Sequence, residues 1–169
     1  MHQAVRRLVV ALALALALPS GASAQEFKEI PLTEKQVLGF IAAQKDFAAL
    51  AQKTPGRPGD KPDPKVIQEL ETIAKKHGFA NFNEYGEVSA NIGIIMAGLD
   101  PKTKAFSEPP AVIKQEIEEV MADKSIPAKE KGQILEELKE ALKQAQPIKQ
   151  RANIELVKKH YERLDAVVQ

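Results

Sequence analysis

The sequence contains no cysteine and no tryptophan, and only 5% of its residues are aromatic. Without cysteine the chain forms no disulfide, no thiolate metal site and no cysteine nucleophile. The scarcity of aromatic rings disfavours a carbohydrate-stacking surface. The 24 Lys and Arg residues are balanced by 23 Asp and Glu residues. This balance leaves no basic excess for nucleic acid and no polybasic patch for an anionic membrane, so neither is an expected partner.

Long apolar runs are also scarce, and the one that exists lies near the start of the chain. It covers 8–18 and follows the basic pair Arg6 and Arg7. A Pro-Ser-Gly breaker comes next, and then Ala22-Ser23-Ala24, which has the small residues that a signal peptidase requires. A membrane-spanning helix needs about 20 apolar residues, so the run is too short to be an anchor. We predict a cleaved signal peptide over 1–24, cut between Ala24 and Gln25, and a soluble periplasmic protein with no membrane span.

The remaining chain has the length of one domain. We predict an extended lead over 25–32 and a single helical domain over 33–169, interrupted by a Pro- and Gly-rich exposed loop at 54–64. No β-alternating run of useful length occurs, whereas apolar residues recur at helical spacing. The prediction is an all-α fold of about six helices, which begin near 34, 64, 81, 109, 126 and 153.

Several helix ends carry recognisable capping residues. Thr33 with Gln36 three positions later forms a capping box. Asp63 is the expected N-cap of the next helix, with proline at its first position. Gly78 is expected at the C′ position of that helix, and Phe79 is expected to fold back onto it.

Other features concern the packing of the helices. Ser125 is the expected N-cap of the fifth helix, and a close approach of neighbouring helices would explain Gly86 and Gly93 inside the apolar third helix. The apolar periodicity assigns side chains to the buried faces of the first, second and fourth helices. They include Val37, Phe40, Ile41, Phe47, Ala48, Ala51, Ile67, Ile113, Ile117, Val120 and Met121.

No catalytic or metal-binding motif emerges from the polar residues, and no cofactor is expected. His77 is expected to bond the last carbonyls of its helix, and His160 is expected on the surface. No H-x-x-x-H or H-E-x-x-H pair exists. A haem held by His77 with Met96 or Met121 stays open, although both methionines occupy core positions. The carboxylates at 116–119 fit a solvated helix face.

One short stretch resembles a known family. Leu32-Thr33-Glu34-Lys35-Gln36 has the form L-T-x-x-Q and is similar to the motif of the helical periplasmic stress proteins of the Spy and CpxP type. That resemblance implies a chaperone or a modulator of a sensor kinase. The family usually carries the motif twice, and the nearest second candidate here, 142–146, lacks the threonine. The stretches 78–100 and 153–165 also resemble uncharacterised exported helical proteins of Gram-negative bacteria, which imply no function.

Three functional hypotheses remain. The first is a non-enzymatic periplasmic interaction or chaperone-like module whose partner is another envelope protein, and it predicts an exposed apolar patch of roughly several hundred Å². The second is a helical bundle that binds an apolar or haem-like ligand, with Tyr85, Ile92, Met96 and Met121 as candidate wall residues. The third, an enzyme, is disfavoured because no convergent polar motif is present.

Overall fold

The computed structural model of the chain describes residues 27–54 and 63–168. The predicted signal peptide, its cleavage site and most of the 54–64 loop lie outside these ranges. The described residues form seven helices and no strand: α1 (Glu34–Lys53), α2 (Pro64–Lys76), α3 (Phe82–Gly98), α4 (Pro109–Ala122), α5 (Ala128–Gln144), α6 (Arg151–Lys159) and α7 (Tyr161–Val168). The predicted all-α fold is therefore confirmed.

The helices belong to two compact units. The first, here called the terminal unit, comprises the described residues up to 96 together with 150–168. The second, here called the central unit, comprises Ala97–Lys149. Each unit is described separately.

In the terminal unit α1 packs against α2 and α7. The capping box at its start is present as predicted, because Thr33 Oγ1 accepts from the Gln36 N–H and the Gln36 side chain accepts from the Thr33 N–H. Its buried face is shifted from the predicted one, because Ala43 and Leu50 are buried whereas Ala48 and Ala51 are exposed.

The ends of α2 also follow the sequence signals. Asp63 accepts from the Lys65 N–H at the N-terminus. At the C-terminus Gly78 has a φ of +90°, and Phe79 N–H bonds to the Ala74 carbonyl in the manner of a Schellman cap. Phe79 is buried, as predicted, but Ile67 is 48% exposed and does not belong to the inner face of α2.

The helix approaches predicted for Gly86 and Gly93 are wrong. A Cβ atom at either position would have no neighbour within 4 Å, apart from its own helix. The close approach in this unit occurs at Gly39 instead, where a Cβ would lie 2.6 Å from the His77 carbonyl oxygen. The glycine of α1 therefore lets the end of α2 pack closely against it.

The C-terminal segment forms two helices rather than one. The break falls at His160, whose N–H bonds to the Val157 carbonyl three residues earlier. His160 is only 8% exposed, so its predicted surface position is wrong. This break accounts for seven helices where about six were expected.

The central unit is built on the pairing of α4 with α5. Ile113, Val120 and Leu138 form its buried core. Pro127 rather than the predicted Ser125 is the N-cap residue of α5. Met121, predicted to point inward, is 63% exposed.

The same unit contains a buried carboxylate that the sequence did not reveal. Glu116 is 6% exposed and lies on the face of α4 that carries Ile113 and Val120, so its predicted place on a solvated face is wrong. Burial raises the pKa of Glu116, and the nearby Glu119 carboxylate adds to that increase.

The loop after α3 is held tightly against the end of that helix. A Cβ at Gly98 would lie 2.4 Å from the Ser107 carbonyl oxygen, so only glycine fits. Asp100 accepts from the N–H groups of Lys102 and Thr103 and from the Thr103 hydroxyl. The bonds from Thr103, more than that from Lys102, lower the pKa of Asp100.

Candidate functional site

The four candidate ligand-binding residues have different surroundings. Tyr85 is half-buried, Ile92 is 1% exposed in the core of the terminal unit, and Met96 is half-buried. Met121 belongs to the central unit and is exposed. The ligand-binding hypothesis stays a prediction.

Tyr85 lies at the centre of an aromatic cluster that joins α1 to α3. Its ring centroid is 4.4 Å from that of Phe47, and Phe79 meets it edge-on at 5.4 Å. Phe40 and Phe82 stack on it at 5.7 and 5.8 Å. Such ring pairs stabilise a core beyond the area that they bury. The cluster is therefore packing, which explains the position of Tyr85 without a ligand.

The hydroxyl of Tyr85 has a defined partner. The Gln44 side-chain amide donates to it over 2.9 Å. Burial raises the pKa of Tyr85, and the Gln44 bond opposes that increase. A phenol held neutral by burial serves as a hydrogen-bonding group rather than as a base.

An open cleft of about 360 Å³ lies between α1 and α2. Its apolar residues are Ala49, Leu50 and Ile73, and charged side chains of both signs surround them. None of the candidate wall residues lines this cleft.

Two Lys-His dipeptides at helix ends bond to carboxylates of α1. Lys76 Nζ and His77 Nε2 both lie 2.8 Å from Asp46 Oδ2. The Lys76 bond, with a smaller contribution from His77, lowers the pKa of Asp46 to about 2. His77 therefore ends α2 as predicted, but its ring contacts Asp46 rather than the last carbonyls.

The second dipeptide repeats this arrangement at the start of α1. Lys159 Nζ lies 2.8 Å and His160 Nε2 3.1 Å from Glu34 Oε1. The Lys159 bond is the largest cause of the lowered pKa of Glu34. His77 and His160 thus contact carboxylates of α1, and these contacts join the ends of α2 and α6 to α1.

The most distinctive polar feature is the way in which the terminal unit holds the extended segment before α1. Residues 27–32, here called the lead, run without helix or strand. Asn91 of α3 is 3% exposed. Its Oδ1 accepts from the Ile30 N–H over 3.1 Å, and its Nδ2 donates over 2.9 Å to the Lys28 carbonyl.

A second buried asparagine continues the same arrangement from α6. Asn153 is 2% exposed. Its Oδ1 accepts from the Leu32 N–H over 2.8 Å, and its Nδ2 donates over 2.7 Å to the Ile30 carbonyl. The two side chains, here called the asparagine clamp, bond to the lead only through its peptide groups. The N–H and the carbonyl of Ile30 are therefore both hydrogen-bonded, as they would be beside a neighbouring β-strand.

One side chain of the lead adds a further contact. The Glu29 carboxylate accepts from the Gln150 N–H, directly before α6. The L-T-x-x-Q stretch then joins the lead to α1, and Gln36 Nε2 donates to Glu84 over 3.0 Å. The N–H of Ala80 and the Gln36 amide, in that order, lower the pKa of Glu84.

Chemically, the clamp can hold a polypeptide backbone but offers no ionisable group for proton transfer. The clamp does not follow from the sequence motifs, although the sequence carries a signal for it. Asn91 and Asn153 occupy buried positions beside Ile92 and Ile154, where an apolar periodicity predicts core residues. A buried asparagine requires hydrogen-bonding partners, and the peptide groups of the lead supply them.

The large apolar side chains exposed in the described residues belong to four different elements: Phe27 of the lead, Ile67 of α2, Met121 of α4 and Val168 of α7. No single element therefore carries two of these exposed apolar side chains, as the expected apolar patch would favour. The clamp is the stronger candidate site. Within 27–54 and 63–168, no group of three or more acidic or histidine side chains is arranged to hold a metal ion. None of the helices in that part of the chain has the length and apolar character to cross a membrane.

Comparison with known proteins found no match for this chain among family models, curated proteins or solved structures.

Proposed function

We propose that this chain is an exported, non-enzymatic protein-interaction module that holds extended polypeptide and acts in a chaperone-like manner outside the cytoplasm. The observation that carries the proposal is the asparagine clamp. Two buried asparagine side chains on separate helices bond to the peptide groups of Lys28, Ile30 and Leu32 in an extended segment. Because this recognition uses the backbone, it suits partners of varied sequence.

The proposed location rests on the N-terminal sequence. The basic pair, the apolar run over 8–18 and the small residues before Gln25 have the order of a secretory signal. The absence of cysteine is compatible with an oxidising compartment, because no thiol can be oxidised there. The L-T-x-x-Q stretch agrees with the same proposal, since the proteins that it resembles act on unfolded or signalling partners in the periplasm.

The proposed location predicts a defined N-terminus. In a Gram-negative host the chain should appear in the periplasmic fraction with a mass that begins at Gln25. Full-length protein retained in the cytoplasm would contradict export.

The proposed activity is tested by following the aggregation of a disulfide-bonded client that unfolds when a reductant is added. Because the chain has no cysteine, the reductant unfolds the client but leaves residues 25–169 chemically unchanged. We expect near-equimolar chain to slow the rise in light scattering severalfold, whereas an inert helical protein of similar mass has no effect. Unchanged scattering at a fivefold molar excess of the chain would refute the activity.

A further inference from the structure

We propose that the asparagine clamp is a binding site for an extended segment of another protein, and that the lead is the resident occupant which such a segment replaces. This inference rests on the proposed function and names the site and the chemistry of its partner. It also predicts at which positions of a partner segment the clamp binds the peptide groups.

The clamp contacts every second residue of its occupant. It requires a carbonyl at the position of Lys28, both peptide groups at Ile30 and an N–H at Leu32. No N–H is required at the intervening position 31, where the lead carries proline. A partner segment can therefore have proline at position 31 but not at positions 30 or 32, because proline lacks the N–H that the clamp binds.

An occupant is required because the clamp is buried. Asn91 and Asn153 are at most 3% exposed, and no buried side-chain polar atom in the described residues lacks a partner. If the lead left and the helices kept their positions, both clamp oxygens and the Asn153 Nδ2 would lose the partners that the lead supplies, whereas Asn91 Nδ2 would keep its bond to the Glu87 carbonyl. This requirement favours the entry of any polypeptide with the right backbone spacing.

The lead itself is held lightly. Phe27, Lys28 and Pro31 are exposed, and the other three residues of the lead are only half-buried. Its docking therefore depends on a few hydrogen bonds rather than on a large apolar surface. Segments with so little burial open at low free energy compared with the core.

The occupant that gains from exchange is a foreign segment rather than the lead of a second copy. An identical lead would make the same contacts and would also lose the entropy of association. A foreign segment can be longer than six residues, and a partner that also binds elsewhere supplies it at high effective concentration. Since the Glu29 carboxylate accepts from the Gln150 N–H, an acidic residue at position 29 should strengthen binding.

The experiment uses the exported chain, residues 25–169, with Ile30→Pro, which removes one N–H of the lead and leaves the clamp side chains intact. The probe is a blocked peptide with the sequence of residues 27–33, added in trans. We expect the variant to melt at a lower temperature than the wild type and the peptide to restore at least half of the loss, because a ligand of the folded state raises its stability.

Backbone-methylated peptides then test the register. Methylation of the Ile30 or Leu32 nitrogen should weaken binding about tenfold or more, which corresponds to the loss of one hydrogen bond. Methylation of the Lys28 nitrogen is the matched control and should leave affinity unchanged within about twofold. A peptide that keeps Glu29 but has alanine at 28, 30 and 32 should bind within about fivefold of the original, since the clamp reads the backbone.

Three results would overturn the inference: no peptide binds, the Ile30- and Leu32-methylated peptides bind as well as the control, or the chain exchanges leads with itself and forms dimers. If the Ile30→Pro variant does not fold, the wild-type chain replaces it, and saturating peptide should abolish the hydrogen-exchange protection of the Ile30 and Leu32 amides. Retained protection would then refute the exchange. A chain that slows client aggregation but binds no peptide in the clamp would retain the proposed function and lose this inference.

Discussion

The replacement of Asn153 by Asp gives the sharpest test of how the lead is held. The change keeps the shape of the side chain and the oxygen that accepts from Leu32, but it removes the donor that bonds the Ile30 carbonyl over 2.7 Å. The loss of a hydrogen bond costs about 1 kcal/mol, and a buried carbonyl left without a partner adds about 1–3 kcal/mol. We expect Asn153→Asp to lower the free energy of unfolding of the terminal unit by about 2–4 kcal/mol at pH 7.5.

The pH dependence of this variant has a definite sign. A buried carboxyl at position 153 should have a higher pKa in the folded state than in the unfolded state. Its ionised form therefore weakens the fold at high pH, and stability should return as the pH falls through the folded pKa. At low pH the protonated carboxyl can again donate to the Ile30 carbonyl.

The assay can be confined to one unit because of where the tyrosines lie. The chain contains two tyrosines and no tryptophan, and Tyr85 and Tyr161 both belong to the terminal unit. Urea unfolding followed by tyrosine fluorescence at pH 7.5 and pH 4.5 therefore reports on that unit. Asn83→Asp, at an exposed position of α3, is the matched control. If the two variants agree within about 0.5 kcal/mol, or if Asn153→Asp is no more stable at the lower pH, the account of the clamp is wrong.

Three further predictions concern other parts of the chain. Gly98→Ala should lower stability by about 1–3 kcal/mol, because its Cβ would meet the Ser107 carbonyl, whereas Gly93→Ala should raise it by about 0.5–1 kcal/mol. Asp46→Asn should reduce the loss of stability between pH 4 and about 2. The folded pKa of Asp46 is about 2, so the stability that its carboxylate contributes is present above the unfolded pKa and is lost as the pH falls to about 2. Glu116→Gln should increase stability at pH 8 and have a smaller effect near pH 4, since a raised folded pKa means that the ionised carboxylate opposes folding.

Circular dichroism melts measure all three predictions. If Gly98→Ala and Gly93→Ala changed stability in the same direction, the described surroundings of the two glycines would be wrong. For Asp46, Glu118→Gln provides an exposed carboxylate as a control. If stability fell between pH 4 and about 2 as steeply in Asp46→Asn as in the wild type, the bonds of Asp46 with Lys76 and His77 would not stabilise the fold. A Glu116→Gln variant that is less stable at pH 8 would show that the carboxylate makes a favourable contact.

The features that the sequence predicted well are those that neighbouring residues determine. The Thr33 capping box and the glycine cap at Gly78 form between residues within a few positions of each other, so their spacing alone specifies them. The all-α fold follows in the same way from apolar periodicity.

The errors concern contacts between residues far apart in the chain. Which glycine permits a close approach depends on what lies opposite, so Gly39 and Gly98 were missed while Gly86 and Gly93 were chosen. His160 contacts Glu34, which is 126 positions away. Asn91 and Asn153 were overlooked for the same reason, because their partners in the lead lie at least 61 positions earlier.

The most direct test of the central claim is to observe the clamp side chains while a foreign polypeptide binds. In the ¹⁵N-labelled chain of residues 25–169, the side-chain amide signals of Asn91 and Asn153 should shift when an unlabelled unfolded client is added, and that of exposed Asn83 should not. The account predicts saturable shifts at both clamp residues, together with release of the chain's own lead. Binding that shifts other residues and leaves Asn91 and Asn153 unchanged would contradict it.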